Sequence, residues 1–511
     1  MLPVILCIVL VCGYVYLKQT YFTLRPELPG LSPHFLFGNL IQTGILSGRV
    51  SLPEALAAFK KRYGDIYQFW LGPSYNIIVN DITDVQHIFC HRNIYDQGDF
   101  FIEKASVLFP DGLICTKGVQ FKRHAAVTYP LFRRGKFTPN LDLIIECVDQ
   151  LLAKWRERPE GQVHTDIFQQ FHKLMLAIFG FIAFDYDLQT LDEDHKTGSN
   201  ELAEALEVIN NAFQLVTYAP RWLSILYLKL SSRHQRAKKL VQQYLYRIIE
   251  QEMNESPELR AQRKRTSLIA SLVGSISFDE KNEATKREEE KIGLSRQEVL
   301  NEMLLFLNAG SDTTATVITW FIHLVSKHPR VQEKIKAELI ANDAASTLSL
   351  NHLYSLVYLD CAINEVLRFC PPVNGTLRTL TTDDRLPKSG IQLYKGDSVL
   401  IPFHNLSHDP RYWSIDPQQF YPERFLGEDK NHPTYALIPF GSGHRHCIGE
   451  DFARFKLKVI IARLMQQVTF GDGGPKLNAG GHSSQVTIVP KKSRRYIHNY
   501  LNNNEYFLFT I

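Results

Sequence analysis

Phe440-Gly441-Ser442-Gly443-His444-Arg445-His446-Cys447-Ile448-Gly449 is a glycine-rich run that carries a single thiol. The residues after it, 450–464, place Phe452, Leu457, Ile460, Ile461 and Leu464 at helical spacing, so Cys447 stands just before a helix start. Backbone N–H groups and the positive end of a helix dipole stabilise an anion there, which predicts a lowered thiol pKa and a thiolate. Gly443 and Gly449 are expected to let the backbone crowd a flat ligand where a side chain would clash. The eight cysteines show neither C-x-x-C spacing nor a regular framework. Most of them sit in apolar contexts, as Cys115 and Cys147 do, and read as reduced thiols.

A thiolate in such a loop suits a haem iron, because it pushes electron density through the metal and favours O–O cleavage. The run resembles the haem loop of the cytochrome P-450 family, Phe-x-x-Gly-x-Arg-x-Cys-x-Gly, matched at Phe440, Gly443, Arg445, Cys447 and Gly449. The resemblance implies a mainly α fold with small β-sheets, a large helical haem domain plus a minor β region. It also implies haem b (iron protoporphyrin IX) with Cys447 as the metal ligand.

Upstream, Glu365 and Arg368 are three apart and share a helix face. The resemblance adds Arg424, from Tyr421-Pro422-Glu423-Arg424-Phe425, to complete a buried Glu-Arg-Arg network beneath the haem loop, with His408, Asp409, Pro410 and Trp413 between. The stretch Asn308-Ala309-Gly310-Ser311-Asp312-Thr313-Thr314 sets small residues beside an acid and hydroxyls in an apolar helix. Read locally, the threonines bond back to carbonyls and Asp312 faces water. By resemblance, Ala309 and Gly310 leave a groove for dioxygen, Thr313 donates a hydrogen bond to the oxygen being reduced, and Asp312 relays protons from solvent. Arg445 and Arg378 match positions that hold haem propionates. One departure stands out: the family's Trp-x-x-x-Arg signature falls on Phe121 and Ala125. His124 and Arg123 are adjacent substitutes, though neither shares the direction of position 125 on a helix.

Helical periodicity over 141–155, 240–253 and 299–323 and strand-like runs at 66–71, 75–79, 398–402 and 486–490 agree with an α-rich body. The charged stretch 254–293 reads as solvated loop with short helices. Residues 2–17 are almost wholly apolar, and the run reaches Tyr21 if Lys18 snorkels, which predicts a retained single-pass span. Lys18 and Arg25 after it place the bulk of the chain in the cytosol, and the resemblance implies the endoplasmic reticulum membrane. The expected division is an anchor over 1–21, a proline-rich hinge over 22–40, a haem-thiolate catalytic domain over 41–490 and a tail of unassigned role over 491–511.

A net charge of +4 is too mild to argue for nucleic acid. With no Gly-x-Gly-x-x-Gly after a strand, electrons must come from a partner, and the resemblance implies an NADPH-dependent flavoprotein reductase. Lys122, Arg123, Arg133, Arg134, Lys136, Lys456 and Lys458 suit an acidic docking surface on it. Pocket stretches implied at 100–109, 205–218, 304–314, 373–376 and 483–486 are mostly apolar, which favours a small lipophilic substrate, hydroxylated or epoxidised. The competing class is a haem-thiolate isomerase or dehydratase that rearranges peroxides without a reductase; the Asp312-Thr313 pair argues against it.

Overall fold

The computed structural model describes residues 2–132, 135–157, 163–164, 167–191, 200–256, 258–259, 262, 267–276, 285–472, 474, 481–484, 487–490 and 496–500. Its longest helix, Arg296–Lys327, starts at Ser295, whose hydroxyl accepts the Glu298 N–H while the Glu298 carboxylate accepts the Ser295 N–H. That reciprocal cap satisfies two donors that a helix start leaves unpaired. The helix stops at His328 because Pro329 disfavours helical backbone in the residue before it. Its side chains are buried almost all round, as expected of a helix that runs through a core rather than over it. Helices Ile167–Phe184, Ser232–Asn254, Val357–Phe369 and Glu450–Gln467 pack against this central helix.

A five-stranded sheet lies beside the helical body in the order Ile66–Leu71, Ser74–Val79, Ser398–Pro402, Gly375–Leu380, Tyr95–Gln97. Its pairs are antiparallel except Ser74–Val79 against Ser398–Pro402, where Ile77 lies opposite Val399. Small two- and three-stranded sheets complete a mostly helical architecture. At the C-terminal end, Tyr496–Tyr500 pairs with Val468–Gly471 and Val163–His164. The rest of the tail from 491 lies outside the described residues.

Three expectations change. The proline-rich stretch 22–40 is non-helical but docked rather than a free spacer. Arg25 forms a bidentate pair with Asp397 (2.6 and 2.9 Å), Gln68 bonds to Arg25 and Leu28, and Phe22, Leu28 and Leu40 are buried. Arg25 therefore ties this stretch to the start of the strand Ser398–Pro402. Within the charged stretch 254–293, the helix Leu268–Val273 is fully buried; six residues, Ser271 among them, are too few to show a helical period. The N-terminal helix Leu2–Tyr21 forms, with its described side chains exposed, and carries a shorter apolar run, Ile5–Tyr21. Among the described residues one helix, Ile167–Phe184, is long and apolar enough to cross a membrane, and it is mostly buried in the core.

Beneath the sheet, Glu365, Arg368 and Arg424 are each fully buried. Arg368 grips both Glu365 oxygens (2.7 and 2.9 Å), and Arg424 reaches one of them at 3.1 Å. The remaining guanidinium N–H groups donate to carbonyls of Ser407, Pro417, Gln419, Ile415 and Asp416 and to Asp429. Both guanidiniums also lie over the Trp413 ring, at 5.2 and 5.5 Å. Asp409 belongs to a neighbouring cluster, with Lys60 and Arg411. Every charge in the network has partners, so removing one leaves a buried charge uncompensated. Arg424→Met is expected to cost about 3–5 kcal/mol in urea unfolding. Arg287→Ala, which breaks the exposed Arg287–Glu290 pair, should change stability by less than about 1 kcal/mol.

Candidate active site

Cys447 sits on a loop closed by its own backbone: its N–H donates to the Phe440 carbonyl at 2.9 Å, and His446 N–H donates to Gly443 at 3.1 Å. Gly443 has φ +71°, and a Cβ there would come 2.8 Å from the Phe89 carbonyl. The Phe89 carbonyl and the positive φ each call for glycine at this position. At Gly449 a Cβ would meet only the Cys447 sulfur, at 3.9 Å, so that side of the loop is open. Arg454 braces the loop, with its guanidinium over the Phe440 ring at 5.0 Å and bonds to Glu450 and to Asn364.

The helix after the loop starts at Glu450, as the periodicity predicts. Yet the Cys447 thiol is not lowered in the chain alone: burial pushes it up, the Gly449 N–H pulls it down, and Glu450 adds repulsion. Carboxylates at Glu450 and Asp451 occupy the positive helix end that the thiolate was expected to use. A thiolate here would need a cation at the sulfur to offset that burial, as coordinating thiols do. Cys447 has exposed surface even though dense protein surrounds it. Those two observations fit a residue on the floor of an internal cleft.

A bare strip lies on the central helix, against which the helix after the loop packs. Ala309 is exposed and Gly310 and Thr313 are half-buried, while their neighbours Asn308, Ser311, Asp312 and Thr314 are buried. Exposure in the middle of a buried helix marks an internal space. The Thr313 hydroxyl donates to the Ala309 carbonyl at 2.8 Å. Asp312 does not face water: it is buried, and its carboxylate accepts the Thr487 hydroxyl at 2.8 Å, which in turn pairs with Thr316 at 2.6 Å. Burial pushes Asp312 up to about 6, with Thr487 opposing.

Cations gather at one flank. Arg445 donates to the Thr116 carbonyl at 2.9 Å, lies 3.4 Å from Asp96 and stacks on Phe121 with 3.5 Å to the ring centroid. Its buried Nε has no partner among the described residues. Arg378, 1% exposed, bonds to Thr376 and to the Leu377 carbonyl. Burial and then the nearby Arg445 hold Arg378 down to about 10, against Asp96. Burial would raise Asp96, but His444, the Gln97 N–H and Arg445 together hold it well below the usual carboxylate range. Two guanidiniums thus share one carboxylate and an orphaned N–H, an arrangement that favours an added anion. An iron porphyrin brings two carboxylates and takes one axial protein ligand, so Cys447, Arg445 and Arg378 fit such a group.

Neither proposed substitute for the missing arginine at Ala125 is available. Arg123 is bound by Glu288, Glu298 and the Gly293 carbonyl, and His124 bonds to Glu302 (2.5 Å) and Glu298 (3.3 Å). These contacts tie helix Gly118–Thr128 to the start of the central helix. Phe121 instead serves as the platform under Arg445. Asp96, Phe121 as a stacking partner, Arg454 and Thr487 carry no local sequence signal. The expected basic surface also shrinks. Arg123 and Lys456 are buried, Lys458 is paired with Asp360, Lys122 and Lys136 are exposed, and Arg133 and Arg134 lie outside the described residues. The side chains of Ser483 and Ser484 and residues 485–486 also lie outside them. A separate cleft lined by Phe184, Tyr186, Ile248 and Glu252 holds none of these site groups.

A family model described as Cytochrome P450 matches residues 28–492. Over 494 residues the chain is 25% identical to Cytochrome P450 734A1 of Arabidopsis thaliana, covering 92% of this chain and 91% of that one. It is 26% identical over 484 residues to Cytochrome P450 3A14 of Cavia porcellus (91% and 90% covered). It is 27% identical over 417 residues to secologanin synthase 2 of Catharanthus roseus (80% and 76% covered).

Asp312 provides a test of the site's electrostatics. A carboxyl raised from 3.8 to about 6 costs the fold stability as pH climbs through that interval, because the unfolded chain ionises first. Between pH 5 and 8, wild type should lose about 1 kcal/mol relative to Asp312→Asn in urea unfolding. A constant difference across that range would contradict the buried, protonated carboxyl.

Proposed function

The chain belongs to the cytochrome P450 family of haem-dependent monooxygenases, and we propose that it is a membrane-attached member that hydroxylates or epoxidises a small lipophilic substrate. The observation that carries this reading is the pairing of Cys447 on a cleft floor with the bare Ala309-Gly310-Thr313 strip in the middle of a buried helix. In this reading Cys447 Sγ ligates the iron of haem b, and Arg445 and Arg378 take its propionates in the place their crowded guanidiniums leave. Haem so held supplies an iron that activates dioxygen, with the thiolate's electron donation favouring O–O cleavage.

The protein's own groups do the rest. Ala309, small and exposed, leaves room beside the central helix, and Gly310 lets Phe179 pack against that helix. The Thr313 hydroxyl commits its hydrogen to the Ala309 carbonyl and keeps its oxygen free to accept a hydrogen bond in the groove. Asp312, raised to about 6, can take up and release a proton near neutral pH, and Thr487 and Thr316 are the hydroxyls through which that proton would be exchanged. The buried apolar residues Leu304, Leu305, Phe306 and Leu307 limit water in the core around the strip.

Electrons are assigned to an NADPH-dependent flavoprotein reductase, which would dock at the cations still exposed, Lys122 and Lys136 among them. Attachment to the endoplasmic reticulum membrane, single-pass with the catalytic domain cytosolic, is supported by the exposed apolar helix Leu2–Tyr21. Two exposed apolar groups lie near it in the fold: Leu36, Phe37, Ile41 and Leu46, and Trp222, Leu226, Tyr227 and Leu230. Phe35 packs on Tyr14 of that helix at 5.0 Å, and Gly72 lies between the Leu36 and Tyr218 carbonyls, which draws the surfaces to one side. The division into anchor, strap, catalytic body and tail follows from the same reading.

The test is turnover of a panel of fatty acids, steroids and aromatic xenobiotics under ¹⁸O₂ with reductase and NADPH. One ¹⁸O atom per product molecule, and no product without reductase, is expected. Conversion of a lipid hydroperoxide with neither reductase nor oxygen uptake would overturn the reading in favour of an isomerase or dehydratase.

A further inference from the structure

Lys456 lies about two turns into the helix Glu450–Gln467, is 1% exposed, and makes no ion pair among the described residues. Its ammonium instead donates to the Gly310 carbonyl at 2.9 Å and lies over the Phe452 ring at 4.3 Å and the Phe179 ring at 5.9 Å. Burial with no carboxylate lowers its pKa to about 7. A buried amine is costly, and methionine would fill a similar volume without that cost. Packing alone does not call for lysine here.

What the amine does is fix one peptide plane. Gly310 is also packed against Phe179, whose ring would lie 2.6 Å from a Cβ at that position. The next carbonyl back, Ala309, accepts the Thr313 hydroxyl at 2.8 Å. The Ala309 and Gly310 carbonyls lie in successive peptide planes that meet at the Gly310 Cα, where a residue without a Cβ leaves φ and ψ loosely held, so fixing the Gly310 plane limits how far the Ala309 plane can turn. A neutral amine still donates, so the grip does not depend on the charged form.

We propose that Lys456 is a positioning residue for oxygen activation: by gripping the Gly310 carbonyl from the post-cysteine helix, it sets the Ala309-Gly310 strip and the Thr313 hydroxyl in place. The inference deepens the monooxygenase reading and rests on it. Lys456 thereby joins the two walls of the site, since its own helix begins three residues after Cys447.

Lys456→Met removes the donor and keeps the stem, whereas Lys456→Arg keeps a donor. Two quantities are measured on the full-length, haem-loaded protein: amide hydrogen exchange across 304–316, and hydrogen peroxide released per NADPH oxidised with reductase present. The methionine variant should exchange at least about threefold faster there. It should release more peroxide and still give the thiolate Soret band in its reduced carbon-monoxide form, and arginine should return both quantities toward wild type. Wild-type exchange and peroxide yield in Lys456→Met, or an arginine variant that fails alike, would overturn the proposal. If Lys456→Met does not fold, Lys456→Gln, too short to span the gap, is read by the same outcomes. A wild-type protein without the thiolate band would defeat the monooxygenase reading instead, and the exchange comparison would still judge the grip.

Discussion

The hydrogen bond from Cys447 N–H to the Phe440 carbonyl closes the loop on which the site depends, because it fixes where one sulfur stands before a helix begins. A loop with glycines at 441, 443 and 449 has little intrinsic stiffness, so the surrounding protein must supply it. Phe89 presses on Gly443, and Arg454 caps Phe440 while reaching Asn364 on the helix that also carries Glu365 and Arg368. The buried ion network is therefore one residue's reach from the cysteine loop. Its energetic role is to hold chain segments 405–429 against that helix, and the site inherits the precision.

Facing walls are built from two helices of different character. The central helix is buried nearly all round, and its bare strip is the exception that opens a space. The post-cysteine helix brings the thiol at its start and an amine at Lys456 across to that strip. Along the flank, Arg445 and Arg378 are held by Phe121, Thr116, Asp96 and Thr376, partners too few to neutralise them both. The same arrangement that is awkward for the chain alone is what an anionic planar group would relieve.

Sequence alone exposed the loop, the Glu365-Arg368-Arg424 letters and the Asn308–Thr314 stretch, because each has fixed spacing within one element. It misplaced groups whose environment is set by distant segments. Lys456 and Arg123 read as surface cations since charge normally seeks water, but their partners, Gly310 and the Glu288–Glu298 pair, lie more than a hundred residues away in sequence. For Asp312 the sequence left a solvent-facing side chain as the plain local reading beside the relay role, and its partner Thr487, far along the chain, could not be foreseen. The thiol was expected to be lowered at a helix start, yet burial raises it by more than the Gly449 N–H lowers it. The proline-rich stretch looked like a spacer because nothing local shows that Arg25 will meet Asp397.

The central claim, thiolate ligation by Cys447, is tested most directly by the carbon-monoxide difference spectrum of the reduced, haem-loaded protein, recorded for wild type and for Cys447→His. The account predicts the long-wavelength thiolate Soret band in wild type and its loss in the variant. A wild-type spectrum without that band, or a variant that keeps it, would contradict the account.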